Sequence, residues 1–65
     1  MGKVRIKELR EEKGVSQTRL AKETNIDQRT ISNYELCKTE PSIQAIKKLC
    51  DYFGVTAGYL LGLEE

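Results

Sequence analysis

The stretch Ser16–Glu35, SQTRLAKETNIDQRTISNYE, decides the fold of this chain. It reads as two short helices joined by a tight turn, a polar segment held between apolar anchors. Ser16 stands where a cap should open a helix over 17–24, and Asp27 where one should open a helix over 28–36. Only Asn25, Ile26 and Asp27 lie between them. So short a link needs a residue that tolerates the left-handed backbone, and Asn is the best choice after Gly. Ala21 is small where the crossing helix must approach, since a branched side chain there would hold it away. Spacing alone fits any helical hairpin of a small bundle as well as one built to enter a groove.

Outward from this pair, punctuation marks three more helices. Residues 5–13 carry Ile6, Leu9 and Arg10 on one face and stop at Gly14, a natural residue just past a helix end. Residues 43–53 follow Pro41-Ser42 and end at Gly54, and a last turn over 57–61 follows Thr56. Valine and isoleucine occur singly, never in the alternation a strand needs. One local device recurs at Val15-Ser16-Leu20, Ile26-Asp27-Ile31 and Val55-Thr56-Leu60: an apolar residue, a cap, and an apolar residue four positions on. This is the hydrophobic staple, which fixes the angle of entry into each helix. The reciprocal Glu or Gln of a full capping box is missing at Arg19 and Thr30. The expectation is an all-α, compact five-helix domain over residues 1–65.

The bulk numbers are consistent with that. Sixty-five residues make one domain. So short a chain buries only about 60% of its unfolded surface, so its fold must be locally consistent and helix-rich, or stapled. The two cysteines, Cys37 and Cys50, have no histidine to join them, which excludes the usual zinc spacings and a disulfide scaffold. Cys50 reads as a small core hydrophobe and Cys37 as a loop residue, in a reduced, cytoplasmic chain. No apolar run approaches the roughly 18 residues that span a bilayer, and no signal-peptide core follows the N-terminus. An enzyme is not expected: histidine is absent, neither cysteine has an activating base, and no carboxylate pair lines a cleft. No metal, cofactor or small-molecule ligand is expected either. The net charge of +1 does not announce nucleic acid by itself, so any such reading rests on placement.

Two charges fall on inward faces. In the helix over 28–36 the apolar stripe runs through Ile31 and Tyr34, and Glu35 lies on it. A carboxylate there must be paired, because an isolated buried charge is costly. Arg10 shares the apolar face of the first helix. An Arg10–Glu35 bridge would pin the first helix to the third; the alternative is two snorkelling surface side chains. Any part of the Arg10 fork left exposed would be able to approach a phosphate.

The opposite face of the third helix carries Arg29, Ser32, Asn33 and Leu36, flanked by Gln28 and Thr30. These groups suit the edges of bases in a DNA major groove: Gln and Asn pair with adenine, Arg forks onto guanine, and Ser serves either. Gln28, Arg29, Ser32 and Asn33 are therefore the expected base-reading residues. Gln17 opens the second helix, whose free N–H groups would receive a backbone phosphate, and Lys38 would hold the same strand. Ordinary polar exterior is the competing explanation. Between Gln28 and Asn33 there is no acidic residue, although acids nearly equal bases in the whole chain.

With these residues in view, the chain from Ile6 to Leu63 resembles the Cro/phage-repressor (XRE-type, lambda-repressor-like) helix-turn-helix family. The likeness is carried by I-x-x-L-R-x-x-K-G-V-S-Q-x-x-L-A, I-x-x-x-T-I-S-x-Y-E, K-x-x-P-S and G-V-x-x-x-Y-L-L-G. It implies five helices, with the second and third forming the motif and the third entering the groove. It also implies DNA contacts at Gln17, Gln28, Arg29 and Asn33, a phosphate grip around Lys38, and an internal Arg10–Glu35 bridge. Two positions depart from the pattern: Cys37 stands where glycine is usual, and Leu36 is apolar where polar residues are usual. A cysteine there must carry strain or end the helix differently.

The resemblance further implies a homodimer on a near-palindromic operator of double-stranded DNA, with half-sites about 34 Å apart. The implied contact surface is Val55, Ala57, Tyr59 and Leu61, with Leu60 kept for the core; closure of the core is the alternative use of the whole set. The expected function is a sequence-specific transcriptional regulator, a repressor in preference to an activator. The rivals are an antitoxin-type accessory protein and a helical interaction module that never meets DNA.

Overall fold

The computed structural model describes residues 4–64, so the expected domain limits at 1 and 65 lie outside it. Among the described residues there are five helices and no strand: α1 Ile6–Lys13, α2 Gln17–Thr24, α3 Gln28–Glu35, α4 Ile43–Phe53 and α5 Ala57–Leu60. The expected bounds differ by one residue at three ends. Arg5 sits just before α1, because its N–H bonds the Leu60 carbonyl at 2.8 Å and ties the chain to α5. Leu36 and Leu61 close the last turns of α3 and α5, but their ψ angles of 1° and 0° leave the helical region.

Four helices open on a side-chain cap. Ser16 accepts from the Arg19 N–H at 3.0 Å, Asp27 from Arg29 at 2.8 Å, Ser42 from Ala45 at 3.1 Å and Thr56 from Tyr59 at 3.1 Å. Each such cap stabilises its helix by about 1 kcal/mol. The staples deliver their second members to the core, since Leu20, Ile31 and Leu60 are wholly buried.

All five helices also end alike. A left-handed residue follows the last turn (Gly14, Asn25, Cys37, Gly54 or Gly62), and the next N–H reaches back five residues to a carbonyl. This double closure satisfies carbonyls that a helix end leaves free. Asn25, at φ 59°, does what its place in the short link requires. Cys37 does the same at φ 60° in the place of a glycine, so of the two alternatives it carries the strain. That strain is about 1 kcal/mol.

The core is Ile6, Leu9, Leu20, Ile26, Ile31, Tyr34, Ala45, Leu49 and Leu60, with α2 resting on α3 and α4, α1 on α3, and α5 on α4. Full burial of one of its Leu or Ile side chains stabilises the fold by roughly 1.5–3 kcal/mol. Among the described residues, Thr24 is the one polar residue buried as a whole, and it turns its hydroxyl back to the Leu20 carbonyl at 2.6 Å. Cys50 is half-buried against this core, and burial, with Asp51 adding to it, pushes its thiol up. Outside the core, the Tyr52 hydroxyl of α4 donates to Glu23 of α2, and Lys13 lies over the Tyr52 ring at 5.0 Å. No described helix is long and apolar enough to cross a membrane.

Candidate nucleic-acid interface

α3 has two faces of opposite character. Ile31 and Tyr34 face the core, while Gln28 and Arg29 are exposed and Ser32 and Asn33 half-buried. The four polar residues line one open groove together with Gln17, Asp27 and Thr30. The groove therefore gathers the expected base-reading residues with the first residue of α2. It also contains one carboxylate that lies just outside the Gln28–Asn33 run. Asp27 is the cap of α3, and one of its oxygens accepts from the Arg29 N–H.

Behind the groove, Arg10 and Glu35 meet. Arg10 Nε donates to Glu35 Oε2 at 2.9 Å and Nη2 to Oε1 at 3.2 Å, a two-pronged pair with side chains only 14% and 5% exposed. Arg10 Nη1 donates to the Val15 carbonyl at 3.1 Å. The hydrogen bonds it donates to Glu35 hold the Arg10 guanidinium above its ordinary pKa, against the opposing effect of burial. Every Arg10 nitrogen has an internal partner, so the side chain braces α1 against α3.

Gln17 joins the same network. Its Nε2 donates to Glu35 Oε1 at 2.9 Å, which links α1, α2 and α3 at one buried carboxylate. Its amide is thereby partly engaged, and the N–H groups at the start of α2 are what remains for an anion. No spacing rule foretells this bond. Its only signal is that Gln17 begins a helix whose neighbour buries an acid.

Lys38 is exposed beyond Cys37, and its N–H closes the end of α3 on the Asn33 carbonyl at 2.9 Å. The loop is thus anchored to a groove residue despite the missing glycine. Leu36 is 62% exposed, but it lies in the hollow between α1 and α3 with Val4 and Lys7, not in the polar groove. Of the expected pairing residues, Ala57 is exposed and Val55, Tyr59 and Leu61 are half-buried. Val55 and Tyr59 pack on the core, and the Arg5 guanidinium covers the Tyr59 ring at 4.6 Å. Leu61 opens instead on a hollow shared with Val4, Cys37, Pro41, Ile46 and Leu63.

Comparison with known proteins decides the family, because the helix-turn-helix pattern matches residues 6–60. This chain belongs to the helix-turn-helix family. Two relatives from Bacillus subtilis (strain 168) place it in the XRE, phage-repressor-like branch. The HTH-type transcriptional regulator ImmR is 37% identical over 61 residues, covering 94% of this chain and 48% of the relative. The SPbeta prophage-derived HTH-type transcriptional regulator YonR is 37% identical over 57 residues, covering 88% and 53%. The helix-turn-helix chain thus spans about half the length of these relatives.

Proposed function

We propose that this helix-turn-helix chain is a sequence-specific DNA-binding regulator that inserts α3 into the major groove. The observation that carries this reading is the open groove of Gln28, Arg29, Ser32 and Asn33, mounted on a helix whose other face is locked by Ile31, Tyr34 and the Arg10–Glu35 pair. Rigid support matters because base readout requires donors and acceptors held at fixed height and tilt. Gln28, Arg29, Ser32 and Asn33 read base edges; the start of α2 at Gln17 and the loop at Lys38 hold phosphates and set register. The names of the two relatives, both transcriptional regulators, point the same way.

Repression is the simpler mode, since occupancy of a promoter suffices. In this reading two copies pair through Val55, Ala57, Tyr59 and Leu61 and dock on a near-palindromic operator. One copy binds weakly, as a net charge of +1 implies, and its affinity falls with salt because its phosphate contacts release counterions. The exposed Leu36, Ile43 and Leu63, at 62%, 74% and 67%, favour a second reading in which the chain grips a protein partner.

Selection from a random-sequence DNA pool tests this. An enriched palindrome supports the regulator, and no enrichment supports the protein-binding module. Within the enriched site, Arg29→Ala should cost about 1–3 kcal/mol of binding and relax preference at one base pair. Equal loss across all sequences would refute a base-reading Arg29.

A further inference from the structure

We propose that Asp27 is itself a specificity residue, whose free carboxylate oxygen takes the amine of a cytosine, with adenine second. This rests on the reading that α3 faces base edges. Asp27 opens α3 and lines the groove with Gln28, Arg29, Ser32 and Asn33. Capping uses one of its two oxygens, since Oδ1 accepts from the Arg29 N–H at 2.8 Å. The other, Oδ2, has no hydrogen-bond or ion-pair partner among the described residues. Its neighbours are turned elsewhere, the Gln17 amide to Glu35 at 2.9 Å and the Gln28 amide to the Thr18 hydroxyl at 3.2 Å.

A backbone N–H can only donate, so the cap decides which oxygen is held and which is free. Capping alone needs no second oxygen, because the hydroxyls of Ser16, Ser42 and Thr56 open α2, α4 and α5. Every other side chain lining the groove carries a donor, whereas an ionised Asp27 can only accept. It is exposed, and it stands at the end of α3 that a recognition helix turns toward base edges.

The consequence is chemical. In the major groove cytosine shows only its N4 amine, a donor, and adenine shows its N6 amine beside the N7 acceptor. Guanine shows O6 and N7 and thymine shows O4, all acceptors. A carboxylate oxygen thus bonds cytosine, meets adenine against the repulsion of N7, and is repelled by guanine and thymine. The same charge repels phosphates, so Asp27 adds selectivity and subtracts general affinity.

The test is selection from a random-sequence DNA pool with the native chain, with Asp27→Asn and with Asp27→Ser. Asparagine and serine cap a helix about as well as aspartate. In Asp27→Asn the Arg29 N–H keeps the amide oxygen, so the amide nitrogen takes the free place and a donor replaces an acceptor. One base pair should move from cytosine to guanine or thymine, by about tenfold in relative affinity, as one hydrogen bond to a charged group implies. Asp27→Ser leaves nothing in the free place and should level that same pair. One preference common to all three chains, or an even change at every position, marks a cap and nothing more and overturns the assignment. A shift confined to the pair that Arg29→Ala relaxes shows the carboxylate acting through the guanidinium and overturns it as well. Both of those results leave Gln28 and Arg29 as readers. Absence of an enriched site for the native chain removes the underlying reading and this inference with it.

Discussion

The turns that follow α2 and α3 share one backbone and differ in everything attached to it. Asn25 and Cys37 stand at φ 59° and 60°. The next N–H reaches back to a carbonyl in each, from Ile26 to Ala21 at 3.1 Å and from Lys38 to Asn33 at 2.9 Å. After Asn25 the chain goes straight inward: Ile26 is 8% exposed, and Asp27 opens α3 at once. After Cys37 it runs outward, and residues 37–40 are all exposed before Ser42 opens α4. The same hydrogen bonds therefore serve two purposes. One turn fixes the angle between two helices through burial. The other is held by backbone alone and leaves its side chains to solvent, which suits a loop that meets a ligand.

The contrast breaks most sharply at the residue after each left-handed position. Ile26→Ala should cost about 2–4 kcal/mol of stability, read from the urea midpoint, because it opens a cavity behind α3. A loss no larger than that of an exposed position would mean that the turn is not fixed by burial. Asn25→Ala should cost about 1 kcal/mol, since alanine resists the left-handed region, whereas Asn25→Gly should sit near zero.

On the other turn the effects move from stability to binding. Lys38→Ala should leave the urea midpoint in place, weaken binding evenly across sequences and lower the salt slope by about 1. A change confined to one base pair would contradict a phosphate role. The smallest effect belongs to Cys37→Gly. Relief of about 1 kcal/mol of strain is offset by the flexibility glycine adds to the unfolded chain, for a net gain of about 0.5 kcal/mol. Destabilisation by that change would show that the cysteine side chain contributes more than its backbone costs.

Much of this was legible because the signals are short. A cap and its staple span five residues, as in Ile26-Asp27-Ile31, and Gly14 or Asn25 declares a helix end by conformational tolerance alone. The bounds of α2 and α4 accordingly fall where their punctuation puts them. Contacts across the sequence were harder to see. Arg5 sends Nε to the Tyr59 carbonyl and Nη2 to the Glu64 carbonyl, both at 3.0 Å, and so stitches one end of the described chain to the other. Nothing periodic marks Arg5 for that task, and by pattern it belonged to the first turn of α1. The hydrogen bonds of Gln17 to Glu35 and Thr18 to Gln28 were hidden for the same reason: each needs the distance between two helices, which no spacing encodes.

By itself the sequence determined the number of helices, most of their ends to the residue, and the polar strip from Gln28 to Asn33, because propensity, capping and periodicity act over one or two turns. Only the tertiary structure decided that each Arg10 nitrogen would find an internal acceptor, that Gln17 would turn to a buried carboxylate, and that the Thr18 hydroxyl would meet the Gln28 amide. Those assignments depend on which donors arrive within about 3 Å of which acceptors, and that distance exists only once the helices have packed.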